Sequence, residues 1–230
     1  ETGISRFRLF RIKLQAFPYQ VQVNSKNSRG RIKMGISSQD IFRKILQLND
    51  SNLISELTDA CTSLYLSEGD FLIREGDYPT IVPFLIKGIV RGYLFDVNGK
   101  EITDCFAIQS GIPVMASADL QMPSPLSMDV LVPSEFLTIP IPTIQHLLQK
   151  YPELQRLYNH LLISSFSMHW EIKLTLCRSS AMEKYQWFLR KYPGLIDQIS
   201  NRYIASFLGI TPVTLSRLRR TLREERSMRE

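Results

Sequence analysis

The sequence predicts an α+β fold with an N-terminal jelly roll (a double-stranded β-helix), a long dimerisation helix and a C-terminal helix-turn-helix domain. Three observations carry this prediction. Residues 62–142 are short β-branched and aromatic runs separated by glycines, as in antiparallel strands. Residues 143–177 return to an apolar spacing of about 3.6 residues, which indicates helix. Residues 201–220 contain two amphipathic stretches joined by a glycine and a proline.

The first residues are set apart by their charge. Residues 1–33 contain eight Lys or Arg, with Glu1 as the only acid, and Met34 opens a segment typical of a natural start. We therefore expect residues 1–36 to be a basic extension that is disordered or non-native. A basic arm that contacts nucleic acid or an anionic membrane, or an organelle-targeting peptide, are the alternatives.

Two helical stretches are expected before the strands. Isoleucine and leucine recur at helical spacing between residues 39 and 60, with a break at residues 49–52. Asp50 or Ser51 in this break can cap the second helix.

The strand region is expected to be antiparallel. Asn98-Gly99 lies between the runs 93–97 and 101–106, which predicts a hairpin whose two turn residues both have positive φ. The stretch MDVLVPSEFLTIPI adds two strands that separate at Pro133-Ser134. Many short strands with frequent turns favour a sandwich or jelly roll over a parallel sheet, and we assign residues 37–150 to this sensor domain.

The apolar seam that follows predicts one long helix over residues 151–177, with Pro152 in its first turn. At 1.5 Å per residue it would be about 40 Å long, more than a compact domain of this size needs. We interpret it as a helix that pairs two copies of the chain. A long one-sided core helix is the alternative. The predicted dimer seam consists of Leu154, Leu161, Met168 and Ile172.

Residues 178–230 are assigned to a helix-turn-helix domain. Ser180 and Glu183 have capping-box spacing, and residues 192–194 end that helix. Ala205 is a small residue where two helices can cross, and Gly209 tolerates the positive φ of a tight turn. The positions expected to face inward are all apolar: Ile204, Leu208, Ile210, Leu215 and Leu218.

The second helix of this pair has the chemistry of a DNA-reading helix. Thr211 is a good N-cap and Pro212 a good first residue. Its outer face carries short hydroxyls, a valine and arginines: Val213, Thr214, Ser216, Arg217, Arg220 and Arg223. Arginine can bond a guanine edge with two hydrogen bonds, and valine or threonine can contact a thymine methyl. A solvated basic helix that packs on its own domain is the alternative.

Each side chain of this face is given a role. Arg217 is predicted to contact a base, and Val213 a thymine methyl. Thr211 and Thr214 are predicted to contact phosphate, with Ser216 beside them on the same face. The side chains expected to hold the DNA backbone are Arg202, Arg219 and Arg220.

The distribution of charge supports a polyanionic partner at one end. Residues 34–177 hold nine Lys or Arg against sixteen acids, whereas residues 178–230 hold eleven against five.

Other classes of function find little support in the sequence. The three cysteines are widely spaced without a CxxC pair, so a disulfide framework is not expected and the reducing cytoplasm fits best. His146, His160 and His169 all lie outside the strand region, so neither a metal site nor a cofactor is predicted. No GxSxG, Walker or Rossmann motif is present, and we expect no enzyme activity. No apolar run approaches the roughly 20 residues that span a bilayer.

The order of these parts resembles the Crp/Fnr family of transcription regulators over roughly residues 37–225. SEGDFLIREGDYPTIVPFLIKGIVRGY is similar to the early strands of that family, and RYIASFLGITPVTLSRLRR to its Bacteroidetes-type members. The resemblance implies a homodimeric regulator on a near-palindromic double-stranded operator, with RNA polymerase as a candidate partner. The chain departs from the winged form, because TLREERSMRE at its C-terminal end lacks strand character.

The charged residues of the family's ligand-binding cassette are replaced by uncharged ones in this sequence. The cyclic-nucleotide members of the family hold the ring phosphate in a short helical cassette that supplies a Gly-Glu pair and an Arg, and the Glu and Arg positions fall near Met115 and Pro125 here. No Lys or Arg occurs from residue 102 to residue 149, so we expect no tight binding of cAMP or cGMP. Residues assigned to an effector pocket are Met115, Ser117 and Ser127.

What occupies this region is left open between three alternatives: collapsed packing without ligand, an apolar effector, or an anion bound by backbone amides. An alternative function is a ligand-binding jelly roll whose C-terminal helices dock on a protein partner.

Overall fold

The computed structural model describes residues 37–227, with side chains up to residue 224. The predicted basic extension at residues 1–36 lies outside this part of the chain. The described chain begins with helix α1 (Ser38–Asp40), a π-helical turn at Ile41–Ile45 and helix α2 (Ser51–Asp59).

The interruption between these helices ends at the predicted cap. The carboxylate of Asp50 accepts hydrogen bonds from the amides of Asn52 at 2.9 Å and Leu53 at 3.1 Å, which satisfies free donors at the start of α2. Glu153 then accepts from the amides of Asn49 and Asp50, each at 2.9 Å. The N-terminal helices are therefore attached to the long helix described below.

Within residues 37–227, seven strands form the predicted antiparallel sandwich. A three-stranded sheet has the order β1-β7-β3, and a four-stranded sheet the order β2-β6-β4-β5. The side chains of Leu85, Val90, Val130 and Phe136 fill the space between the two sheets and are fully buried. The strands are β1 (Thr62–Leu66), β2 (Phe71–Ile73), β3 (Ile81–Lys87), β4 (Val90–Phe95), β5 (Glu101–Ala107), β6 (Ser127–Val130) and β7 (Ser134–Pro140).

The hairpin between β4 and β5 forms where it was predicted, but its turn type differs. Gly99 has a φ of 76°, whereas Asn98 does not have a positive φ. The amide of Asp96 donates to the carbonyl of Lys100, and that of Gly99 to the carbonyl of Asp96, each at 2.9 Å. The Asp96 carboxylate also accepts from the amides of Asn98 and Lys100. This side chain stabilises a longer loop with one left-handed residue, so the prediction of two was wrong.

Five α-helices follow the sandwich in the part of the chain that the structure describes. The long helix α4 has 27 residues and begins at Pro152, close to its predicted limits. The capping box of Ser180 and Glu183 is confirmed at the start of α5. No helix within residues 37–227 is long and apolar enough to cross a membrane. The five are α3 (Ile141–Lys150), α4 (Pro152–Arg178), α5 (Ala181–Lys191), α6 (Asn201–Phe207) and α7 (Pro212–Ser227). The domain limits at residues 37–150, 151–177 and 178–230 stay predictions.

Three apolar cores connect these elements. One lies between the N-terminal helices, α3 and the three-stranded sheet, and a second lies inside the sandwich. The third joins Ile89 and Phe106 of the sandwich region to helices α4 to α7. The C-terminal helices therefore pack directly against the jelly roll.

Candidate nucleic-acid interface

Helix α6 ends in a tight turn that only a left-handed residue can make. Gly209 has a φ of 64°, and its amide donates to the carbonyl of Ser206 at 3.1 Å. The amide of Ile210 donates to the carbonyl of Ala205 at 3.0 Å. These two bonds form a Schellman motif, which satisfies the last carbonyls of α6 and redirects the chain.

Helix α7 begins as the sequence predicts. Thr211 Oγ1 accepts a hydrogen bond from the amide of Thr214 at 3.1 Å, and Pro212 is the first helical residue. The hydroxyls of Thr211 and Thr214 also bond each other at 2.9 Å. Two hydroxyl protons are present and one is used in this bond, so one remains available for an external acceptor.

The two helices bury one face and expose the other. Ile204, Ala205, Leu208 and Leu215 are fully buried in the third core. The remaining predicted inward residues, Ile210 and Leu218, are half-buried against it. On the opposite side of α7, Val213 is 62% exposed, and Ser216, Arg217 and Arg220 are exposed as well. A convex face of hydroxyls and arginines is thus presented to solvent.

The arginines of α6 and α7 differ in the hydrogen bonds and ion pairs that they form. Arg219 Nη1 donates to Asn201 Oδ1 at 2.8 Å, and its Nη2 lies 3.6 Å from Asp197 Oδ1. Arg202 Nη2 donates to the hydroxyl of Tyr203 at 2.6 Å. Arg220 lies 3.7 Å from Glu224 in an exposed pair, which contributes little to stability. The guanidinium of Arg217 has no hydrogen bond or ion pair among the described side chains.

Helix α4 has one buried and one exposed apolar face. Of the predicted dimer seam, two residues are buried and two are half-buried. Leu154 and Ile172 are only 8% and 6% exposed because they pack into the cores of their own chain. They are therefore not available to a partner, and this part of the assignment was wrong. Leu161 and Met168 are half-buried.

The exposed face of α4 carries larger side chains. Ile163, Phe166 and Trp170 are 60%, 72% and 51% exposed. The rings of Phe166 and Trp170 are nearly parallel, with centroids 6.5 Å apart. Lys173 Nζ lies 5.3 Å from the ring centroid of Trp170, and Cys177 is exposed one turn further on. Positions 163, 166, 170, 173 and 177 have the alternating three- and four-residue spacing of a coiled-coil seam.

A cavity of about 370 Å³ opens between β2, the segment after it and the loop that follows Val114. Met115 and Ser117, which the sequence assigned to an effector pocket, line this cavity together with Met122 and Asp77. Among the described residues that line it there is no Lys or Arg, and Asp77 is the only charged one.

Ser127 was wrongly assigned to this cavity. It lies on buried strand β6, where its hydroxyl accepts a hydrogen bond from the amide of Glu75 at 3.0 Å. Its small polar side chain is explained by this structural bond.

The loop beside the cavity is held by the long helix. The hydroxyl of Tyr158 on α4 donates to the carbonyl of Ala118 at 2.7 Å. Burial raises the pKa of the Tyr158 phenol, so it stays a proton donor at neutral pH. The sequence analysis did not predict this contact, and it placed the dimer seam on a different face of α4 from the one that is exposed.

The fold is similar to that of several solved structures. FixK2 from Bradyrhizobium japonicum has 17% sequence identity and a TM-score of 0.65, over 72% of this chain and 85% of that chain. The c-di-GMP responsive global regulator CLP of Xanthomonas campestris has 14% identity and a TM-score of 0.62, over 76% and 93%. A protein from Eubacterium rectale described as a transcriptional regulator of the Crp/Fnr family has 16% identity and a TM-score of 0.61, over 81% and 88%.

At these identities the likeness shows a shared fold and carries no role over to this chain. No protein-family model matches the sequence, and a search of the curated proteins finds no match.

The turn between α6 and α7 gives a first prediction. Gly209→Ala should destabilise the protein by about 1 kcal/mol, because a Cβ disfavours the left-handed conformation. Nothing lies within 4 Å of the position that a Cβ would take, so strain rather than overlap is the cause. Gly209→Asn is the matched control and should lose less, since asparagine tolerates this conformation. Urea denaturation measures both, and equal losses would contradict the turn geometry.

Proposed function

We propose that the protein is a sequence-specific DNA-binding transcription regulator of the Crp/Fnr type that acts as a homodimer in the cytoplasm. The observation that carries this proposal is the outer face of α7. It begins at a capped helix N-terminus and carries exposed hydroxyls and arginines, whereas Leu215 on the opposite side is fully buried and Leu218 half-buried. A helix N-terminus attracts phosphate, and a major groove admits one helix.

Arg217 is proposed as the base-reading residue. Because its guanidinium has no partner among the described side chains, its donors are free to bond the O6 and N7 atoms of guanine. Val213 lies one turn earlier on the same face, where it can contact a thymine methyl. Ser216 lies between them and can bond either a base or the backbone.

Phosphate contacts are proposed for the hydroxyl and arginine residues around this centre. Of Thr211 and Thr214, the hydroxyl that keeps its proton donates to a phosphate oxygen. Arg202 and Arg220 are exposed and flank the helix as backbone contacts. Arg219 is better suited to hold α7 against α6, because Asn201 and Asp197 occupy its donors.

Pairing of two copies is proposed along the exposed face of α4. Burial of Ile163, Phe166 and Trp170 against a second copy would remove large apolar side chains from water. A twofold axis along this seam gives two reading helices related by symmetry, which requires a near-palindromic operator. RNA polymerase is a proposed further partner.

The cavity is proposed to exclude cyclic nucleotides. A phosphodiester needs cationic donors, and the lining offers only the carboxylate of Asp77 as a charged group. An uncharged, largely apolar effector fits the lining better. The same cavity also favours the second candidate function, a ligand-binding protein that docks on another protein without contacting DNA.

Base reading is tested by comparing two arginines. Arg217→Ala should remove preference at one base pair in each half-site, at a cost of about 1–3 kcal/mol in discrimination. Arg220→Ala should weaken binding to all sequences alike and lower the salt slope by about two, since each of the two copies loses one phosphate contact. The measurement is selection from a random duplex library, followed by titration of the full chain at several salt concentrations. Arg43→Ala, at an exposed arginine of the N-terminal helices, is the control.

The result that would overturn the DNA-binding proposal is a wild-type protein that enriches no sequence and shows no salt dependence. Uniform weakening by Arg217→Ala would instead reassign that residue to a phosphate.

Dimer formation is tested with a cysteine of the chain itself. In a parallel pair, both copies of Cys177 meet across the seam, so mild oxidation should give one disulfide-linked dimer that Cys177→Ser abolishes. Burial raises the pKa of Cys61 and Cys105 to about 12, so these thiols should not react.

Phe166→Glu should give a monomer by analytical ultracentrifugation and lose most DNA affinity. Phe95→Glu is the control, since Phe95 is equally apolar and half exposed on β4. A dimer that persists in Phe166→Glu would contradict the seam.

The cavity is tested by thermal unfolding with millimolar cAMP or cGMP. We expect no saturable rise in melting temperature, because the site lacks cations for the phosphate. A rise with either nucleotide would contradict this, and a rise combined with absent DNA binding would favour the second candidate function.

A further inference from the structure

Strand β5 forms one edge of the four-stranded sheet, and α6 packs against it. Ser206 Oγ accepts a hydrogen bond from the amide of Thr103 at 3.0 Å and donates to the carbonyl of Glu101 at 3.2 Å. An edge strand leaves such backbone groups unpaired. One hydroxyl of α6 therefore satisfies a donor and an acceptor that a neighbouring strand would otherwise occupy.

A buried arginine lies beside this contact. Arg91 on β4 is 2% exposed and donates to both carboxylate oxygens of Asp129, at 3.0 Å and 2.6 Å. Its Nη1 atom donates to the carboxylate of Glu101 at 2.7 Å. The guanidinium lies 4.1 Å from the ring centroids of both Tyr93 and Tyr203. Tyr203 belongs to α6, so this helix completes the enclosure of a charge that belongs to the sheet.

Aromatic packing extends the same interface. Phe106 at the end of β5 contacts Phe207 of α6, with ring centroids 5.3 Å apart. Phe188 and Tyr192 surround the same pair at 5.9 Å and 5.8 Å from Phe207. Polar and apolar contacts thus join α6 to one strand along its length.

The orientation of α6 determines that of α7. The Schellman turn at Gly209 connects them, Leu215 packs on Ile204 and Leu208 in one core, and Arg219 bonds Asn201 at the start of α6. The outer face of α7 nevertheless stays exposed. The docking therefore leaves the proposed reading face open while it fixes the direction in which that face points.

We propose that Ser206 and Tyr203 are positioning residues, which dock α6 on β5 and thereby hold α7 in one orientation relative to the jelly roll. This inference rests on the proposed DNA-binding function. In a symmetric dimer a fixed orientation presents the two reading helices at one separation, so the protein selects operators with one half-site spacing. A helix pair held in advance also loses less entropy on binding.

The test uses duplexes that carry two copies of the half-site selected by the wild type, with the spacing between them varied one base pair at a time. The wild type should prefer one spacing. Ser206→Ala should lower that preference and the affinity for the best duplex by about fivefold or more, because the variant loses two hydrogen bonds to β5. Affinity for a duplex with a single half-site should not change.

Two further variants separate positioning from general loss of structure. Tyr203→Leu removes the ring from Arg91 and should flatten the spacing preference, whereas Tyr203→Phe keeps the ring and should retain it. Ser63→Ala is the matched control, because Ser63 is exposed on β1 in the other sheet. Melting temperatures of all variants show that each is folded.

Hydrogen exchange of the full chain gives a readout that does not depend on DNA. The amide of Thr103 should exchange faster in Ser206→Ala than in the wild type or in Ser63→Ala, because its acceptor is removed. Unchanged exchange would overturn the docking contact.

The remaining outcomes also discriminate. The positioning role is overturned if Ser206→Ala and Tyr203→Leu keep the spacing preference of the wild type. It is also overturned if these variants bind the best duplex more tightly, because the docking would then oppose DNA binding. If the wild type binds no duplex while Thr103 is protected, the proposed function and the spacing role fail together, but the docking contact stands.

Discussion

The arrangement of the whole molecule depends on how Arg91 is buried. A guanidinium removed from water must be paired, and a buried ion pair gains little stability over apolar packing. Burial lowers the pKa of Arg91, but the hydrogen bonds with Asp129 and Glu101 outweigh it and the net shift is upward, so the charge is retained. Removing Asp129 would leave the guanidinium with only the partly exposed carboxylate of Glu101 as its counter-charge. The interaction therefore specifies one arrangement of β4, β5, β6 and α6 more than it stabilises the fold.

The burial of Arg91 is one reason why helices α6 and α7 make different contacts. The side chains of α6 satisfy the sheet: Tyr203 covers Arg91, and Ser206 bonds the edge of β5. Helix α7 contributes Leu215 to the core and leaves Arg217, Arg220 and Arg223 in solvent. Helix α6 is attached to the sheet, and the outer face of α7 stays exposed to solvent. Long helix α4 shows the same separation, with Ile172 turned inward and Phe166 outward.

Local signals in the sequence predicted most elements. The caps at Asp50, Ser180 and Thr211 and the turn at Gly209 all form as expected, because each depends on bonds within a few residues. The antiparallel sandwich also follows from composition and turn spacing. The hairpin turn was less well predicted, since the side chain of Asp96 selects a longer loop that the Asn-Gly pair alone does not indicate.

The sequence by itself determined the type and order of the elements, the lack of Lys and Arg between residues 102 and 149, and the face of α7 that carries arginines. Only the tertiary structure decided which face of α4 is covered, that Ser127 bonds Glu75 instead of lining the cavity, and that Ser206 meets β5. Caps and turns arise from neighbours in the chain. Contacts such as that of Ser206 with Thr103 join residues 103 positions apart. Helical spacing shows that a face is apolar, but only packing shows which of two apolar faces the protein buries itself.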